Sequence, residues 1–289
     1  MSRPRQMWSA MSVPEALAAK SDRKVAVCLP AHNEEATVGE IVSALRRDLI
    51  IDSALIDDLV VIDDRSTDET AAIARSAGAR VVATAADGRH GKGAALWTSL
   101  KVTDADFVVW IDADLHDFET AYVPGLLTPL LRDDAVVLSK GSYERPVGEG
   151  DVGGRVTELV ARPLLHLLHP ALAHIDQPLG GEYACRRSAL RQVPFARGYG
   201  VEIAMLIDVA ERFGIDSIAQ VELGIRQHRR RRLLALEPQA TEIIMVALER
   251  AGVDVPDSVT IHRRGSELRT VGVEYLPAHD RTHALDRAH

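Results

Sequence analysis

Phe107-Val108-Val109-Trp110-Ile111-Asp112-Ala113-Asp114 is the stretch around which the chain is organised. Five apolar residues in a row, closed by acids, predict a strand buried on both faces, because a central strand of a covered parallel sheet has no solvent side to keep polar. In open α/β sheets ligands collect beyond the carboxyl ends of the strands, which puts Asp112 and Asp114 where chemistry is expected. Residues two apart on an extended chain point the same way, so Asp-x-Asp suits a hard divalent ion bridging to a diphosphate. Taken alone the pair also fits a solvated strand end that caps a helix, so the flanking sequence has to decide.

Upstream, Val25 to Leu29 is a short apolar strand that stops at Pro30-Ala31-His32-Asn33-Glu34-Glu35, with Val38, Ile41, Val42 and Leu45 following at helical spacing. A second unit repeats the pattern: strand Leu59 to Ile62, then Asp63-Asp64, then Ser66-Thr67-Asp68-Glu69 as a capping box before Ile73. Gly78 stops that helix, and Arg80 to Ala83 is a third strand. Alternation at this pitch predicts parallel strands joined by right-handed crossovers. A loop over 84–93 ends in Gly91-Lys92-Gly93 before a helix from Ala94 to Val102. The spacing is not that of a phosphate-binding P-loop, yet a lysine and free N–H groups at a helix start suit a phosphate.

Downstream, a helix from about Glu119 to Leu131 and a strand from Ala135 to Ser139 complete the sheet, and the polar, Gly-rich segment 141–153 reads as a loop over a site. A helix opens at Gly153-Gly154-Arg155 with a kink expected at Pro163, and an apolar helix from Ile203 to Phe213 follows Gly198-Tyr199-Gly200-Val201-Glu202. Strand Ile218 to Ile225 runs into Arg226-Gln227-His228-Arg229, where an anion pocket competes with a solvated basic face. A helix spans 233–249. The remaining residues, 250–289, read as a polar tail with Tyr275 and Leu276 as docking points, and residues 1–22 as a mobile arm or oligomer contact.

At 289 residues the chain can hold one large α/β domain, divided into an arm (1–22), a nucleotide-sugar part (23–140), an acceptor part (141–250) and a tail (251–289). A net charge of −8 argues against general nucleic-acid binding, so any anion site must be local. No apolar run approaches the roughly 18 to 20 residues that span a bilayer, and Met1 to Lys20 lacks a signal-peptide core, which predicts a cytoplasmic protein. Cys28 and Cys185, the only two cysteines, read as buried thiols.

Together, Pro30-Ala31-His32-Asn33-Glu34-Glu35, Asp63-Asp64 with Ser66-Thr67-Asp68, Gly91-Lys92-Gly93 and Ile111-Asp112-Ala113-Asp114-Leu115 resemble the nucleotide-sugar half of GT-A glycosyltransferases. Residues 153–164, Gly198-Tyr199-Gly200-Val201-Glu202-Ile203 and Arg226-Gln227-His228-Arg229 narrow the likeness, over about residues 23–250, to the glucosyl-3-phosphoglycerate synthase family. That resemblance implies a Rossmann-like, mostly parallel sheet with helices on both faces and a C-terminal acceptor-binding helical part. It implies transfer of glucose from UDP-glucose, with retention, to the 2-hydroxyl of 3-phosphoglycerate, a step toward glucosylglycerate and, in mycobacteria, methylglucose lipopolysaccharides. Pro30, Ala31, His32, Glu34 and Asp64 would hold the uridine, and Lys92 would contact the donor. Asp112, Asp114 and His228 would hold Mg2+ or Mn2+, Glu202 the glucose, and Gly154, Arg155 and Thr157 the phosphoglycerate. Glu202, Asp114 and Arg226 would carry the catalysis, in a homodimer. His32 and Asp64 depart from the leucine and serine expected there, and the ends are shorter. Glu202 also suits a helix-dipole partner.

Two other reactions fit the same sheet. A mannosyl enzyme would take GDP-mannose in place of UDP-glucose, and a nucleotidyltransferase would release pyrophosphate in place of UDP.

Overall fold

The computed structural model describes residues 7–85, 91–144, 154–225, 236–262 and 269–276. In chain order these form β1 (Met7–Trp8), α1 (Val13–Lys20), β2 (Val25–Ala31), α2 (Val38–Leu45), β3 (Asp58–Asp63), α3 (Thr70–Ala77), β4 (Arg80–Ala83), α4 (Lys92–Val102) and β5 (Phe107–Trp110). There follow α5 (Tyr122–Arg132), β6 (Leu138–Glu144), α6 (Arg162–Leu168), β7 (Tyr183–Arg186), α7 (Arg187–Leu190), β8 (Phe195–Ala196), α8 (Val201–Phe213), β9 (Ile218–Ile225), α9 (Glu237–Arg250), β10 (Ser258–Ile261), β11 (Arg269–Gly272) and β12 (Tyr275–Leu276).

Eight strands make one sheet in the order β1-β9-β6-β7-β5-β2-β3-β4. Every neighbouring pair is parallel except those of β7, which runs antiparallel to both β5 and β6. β5 is central and wholly buried, as its apolar run predicts. Side-chain alternation divides the core in two. Ala26, Cys28, Val60, Ile62, Val108 and Trp110 face the layer of α4 and α8, whereas Val25, Val27, Leu29, Val61, Phe107 and Val109 face α2 and α5. Both cysteines are buried free thiols, and burial pushes that of Cys28 up to about 12.

Several expectations need correction. Residues 7–22 are not a mobile arm: Met7 pairs with Gln220 at the edge of the sheet, and the Met11 N–H donates to Thr128 Oγ1 at 2.8 Å. The Ser12 N–H and hydroxyl both donate to Glu15, and the buried Lys20 meets Asp57 at 2.6 Å, so α1 is capped and tied down. The Ser66–Glu69 box does not form. Ser66 Oγ accepts from the Asn33 N–H, and Asp68 instead receives the N–H and hydroxyl of Thr70. Gly78 does end α3, with φ +102°.

β6 lies at 138–144, not 135–139, and so takes up the first residues of the supposed 141–153 loop; 145–153 lie outside the described residues. α5 begins at Tyr122, three residues later than expected. Pro163 interrupts the regular helix in a different way from the one expected. It sits in the first turn of α6, directly after a wide π turn at Thr157–Ala161, a geometry that relaxes the demand for the N–H that proline lacks. Among the described residues after 250 there is more structure than a polar tail implies, since β10 pairs with β11, while Tyr275 and Leu276 dock as expected, pairing with Ala196 and Phe195. Among the described residues no helix is long and apolar enough to cross a membrane.

Candidate active site

The carboxyl ends of β2, β3 and β5 border a cleft of about 780 Å³. Pro30, Ala31, His32, Glu34, Asp64, Lys92, Asp112 and Asp114 all line it, so every residue proposed for the nucleotide side except Glu202 shares one wall. The loops after β2 and β3 are braced against each other. Asn33 adopts φ 58°, a left-handed conformation that asparagine tolerates, and its side-chain oxygen accepts the Thr67 N–H at 2.8 Å. His32 Nδ1 lies 2.7 Å from the Asp64 carbonyl oxygen, and the Glu34 N–H donates to Thr70 Oγ1 at 2.8 Å.

Asp64 is already bonded inside the protein. Its carboxylate accepts from the Gly91 N–H at 2.7 Å and from the Thr84 hydroxyl at 2.9 Å. The N–H groups expected to greet a phosphate at the start of α4 are likewise engaged: Gly93 donates to the Gly198 carbonyl and Ala94 to that of Arg197. At these two positions the turn at 197–198 caps α4 from outside. Gly93 is required there, since a Cβ would lie 1.8 Å from the Ala196 carbonyl oxygen.

What α4 does supply is the Lys92 ammonium, 2.8 Å from Asp112 and 2.7 Å from Glu202. Burial alone would push this lysine down, but the two carboxylates outweigh it and hold Lys92 well above its ordinary range. Glu202 is buried in the first turn of α8, so its dipole role and its contact with Lys92 coexist. Asp112 is also fixed from the other side. The Gly181 backbone lies so close that a Cβ there would sit 2.0 to 2.2 Å from the carboxyl atoms.

Asp112 and Asp114 fit a hard divalent cation: two carboxylates just past the end of β5 that both line the cleft, with Lys92 bridging Asp112 to Glu202. Among the described residues no third His, Cys, Asp or Glu completes a ligand cluster. His228 and Arg226 lie outside the described residues. Gly154, Arg155 and Thr157 do not line the cleft. Gly154 takes φ +72°, Arg155 is half-buried, and Thr157 is buried at the head of the π turn.

The cleft also holds residues that the sequence reading did not assign. Arg65, with φ 63°, Tyr199 and Glu242 line it. Glu242 accepts the Tyr199 N–H, and burial pushes its carboxyl up. Tyr199 lay within a quoted motif, but Glu242, 43 residues away on an amphipathic helix, had no local signal.

A mostly parallel sheet carrying an Asp-x-Asp pair and a nucleotide-sized cleft at its strand ends is the GT-A glycosyltransferase fold. Residues 26–195 match the model of glycosyl transferase family 2. The chain is 48% identical over 259 residues to glucosyl-3-phosphoglycerate synthase of Mycolicibacterium smegmatis, covering 86% of this chain and 84% of that protein. The crystal structure of the Mycobacterium tuberculosis synthase with Mn2+, UDP-glucose and phosphoglyceric acid superposes with a TM-score of 0.85 at 41% identity, covering 96% of this chain and 95% of that one. The same enzyme with Mg2+ and UDP gives 0.83 at 42% identity, covering 93% and 94%. The chain therefore belongs to the glucosyl-3-phosphoglycerate synthase family, and it is a glycosyltransferase.

Proposed function

We propose that this enzyme moves glucose from UDP-glucose to the 2-hydroxyl of 3-phosphoglycerate, with retention, and releases UDP. The observation that carries the reading is the single cleft wall shared by Pro30, Ala31, His32, Glu34, Asp64, Lys92, Asp112 and Asp114 in a chain of this family. Pro30, Ala31, His32, Glu34 and Asp64 shape the nucleoside end. Asp112 and Asp114, with His228, would hold Mg2+ or Mn2+, which when bound supplies Lewis-acid stabilisation of the leaving diphosphate. Lys92, held charged by its two carboxylates, lies beside that charge, and Arg226 adds a second cation. Glu202 accepts hydrogen bonds from glucose hydroxyls. Gly154, Arg155 and Thr157 take the phosphoglycerate, whose two anionic ends need cations and N–H groups more than apolar area.

A cytoplasmic homodimer goes with this reading. Leu159 and Leu167 are 72% and 79% exposed, one on the π turn at 157–161 and the other on α6, and a second subunit would cover them. Light scattering at micromolar concentration should give the mass of two chains, and a monomer mass would refute the dimer.

Purified protein with Mg2+, UDP- or GDP-sugars and 3-phosphoglycerate or glycerate tests the reaction. UDP release that requires both UDP-glucose and 3-phosphoglycerate is expected. GDP release from GDP-mannose alone would favour the mannosyl enzyme, and pyrophosphate the nucleotidyltransferase.

A further inference from the structure

The turn that carries Gly181 is gripped by a side chain outside the reaction scheme above. Lys140 lies in the middle of β6 and is 1% exposed, a rare place for a lysine. Its ammonium donates to the Gly180 carbonyl at 2.6 Å and sits 4.4 Å from the centre of the Tyr183 ring. Burial pushes it down to about 8, against the opposing pull of Glu202 and Glu182. Sheet register fixes the base of the side chain: Lys140 pairs with Tyr183, and the Gly141 N–H donates to the Glu182 carbonyl at 2.9 Å. The next residue after Gly180 is the glycine whose backbone lies against Asp112. Lys140, Gly180, Gly181 and Asp112 thus form a continuous contact chain, and Asp112 is pinched between Lys92 on one side and this turn on the other.

We propose that Lys140 is a positioning residue: by gripping the Gly180 carbonyl it holds Gly181 against Asp112 and so sets the carboxylate that would hold the divalent cation. The proposal rests on the reading of Asp112 as a metal-holding residue. A lysine that only stabilised the sheet would affect unfolding and leave metal affinity alone.

Mn2+ titrated into wild type, Lys140→Met and Lys140→Gln at saturating UDP, with free Mn2+ read by electron paramagnetic resonance, separates these roles. Mn2+ affinity should fall about 10- to 100-fold in both variants while the KM for 3-phosphoglycerate holds. Gly181→Ala, which displaces Asp112 with Lys140 intact, should weaken Mn2+ binding in the same way. Wild-type Mn2+ affinity in a folded Lys140 variant overturns the proposal, as does an equal loss of 3-phosphoglycerate affinity. Failure of both variants to fold makes Lys140 a folding residue and overturns it too. A wild-type protein that binds no Mn2+ removes the metal reading itself, and the wild-type trace alone tells that failure from the others.

Discussion

The two walls of the cleft are built by different means. Apart from Lys92, which the start of α4 supplies, the functional groups of residues 30–114 come from strand ends and lie within a few residues of the strand that positions each. The facing elements, from Gly180 to Glu242, depend on contacts far apart in sequence: Gly181 on Asp112, Glu202 on Lys92 and Glu242 on the turn at Tyr199. Their frame is tied by charge as well as by packing. Asp208 of α8 receives Arg250 of α9 through two hydrogen bonds at 3.0 and 2.9 Å, and the Tyr275 hydroxyl accepts from Arg250 at 2.6 Å. The first wall therefore follows from sheet formation, whereas the second needs the whole C-terminal half in register.

The largest effect should come from cutting that tie. The Asp208 and Arg250 side chains are 11% and 10% exposed, and removing Asp208 leaves the buried guanidinium with the Tyr275 hydroxyl and the more distant Glu249 carboxylate, at 3.8 Å. Asp208→Ala should cost about 3 to 5 kcal/mol in chemical unfolding. A loss near zero would mean that packing alone holds the second wall.

On the first wall the cost should appear in rate and not in folding. Asp114 lies on the cleft in the turn that follows β5, and its proposed duty is to hold the ion that serves the leaving diphosphate. Asp114→Ala should lower kcat by about 100-fold or more with unfolding unchanged. Full activity in the variant, or of the wild type in chelator, would contradict that assignment.

The same contrast explains what could be read from the chain. β5, the alternation of β2 to β4 and the acids at their ends were legible because an apolar run and its adjoining loop are local. β6 was misplaced because Ser139, Lys140 and Ser142 are buried polar residues, and hydrophobic patterning hides a strand whose charge is satisfied by a distant carbonyl. The antiparallel placement of β7 between β5 and β6 leaves no local mark at all. Ser12-Val13-Pro14-Glu15 does carry a helix start, a cap with proline in the first turn, so a segment that looks polar, mixed and uncapped is capped after all.

Separating donor from acceptor sharpens the comparison further. Arg155 stands apart from the nucleotide cleft, so losing its guanidinium should weaken only the acceptor. Arg155→Ala removes one charge-assisted contact, worth roughly 1.5 to 3 kcal/mol, or about 10- to 150-fold in 3-phosphoglycerate affinity. Calorimetric titration should show UDP-glucose binding unchanged. An equal loss for both ligands, or for neither, would remove Arg155 as the acceptor clamp.

The smallest effect is a slope with pH, and it concerns the lysine that grips the Gly180 turn. Lys140 is held at about 8 by burial, against an ordinary value of 10.5. Between those values the unfolded chain binds more protons at this site than the folded one, so folding gains stability as pH rises. Below about 8 both states are charged and the full cost of burying the ammonium is present; above 10.5 it is gone. Other groups titrate in this range as well, but they are shared by wild type and Lys140→Met, so the difference between the two proteins isolates the lysine. Urea unfolding at pH 8 and again at pH 9.5 should show the wild type gaining about 1 to 2 kcal/mol on the variant. A difference that stays flat across the interval would mean that the Tyr183 ring, Glu182 and Glu202 hold Lys140 at or above its ordinary value.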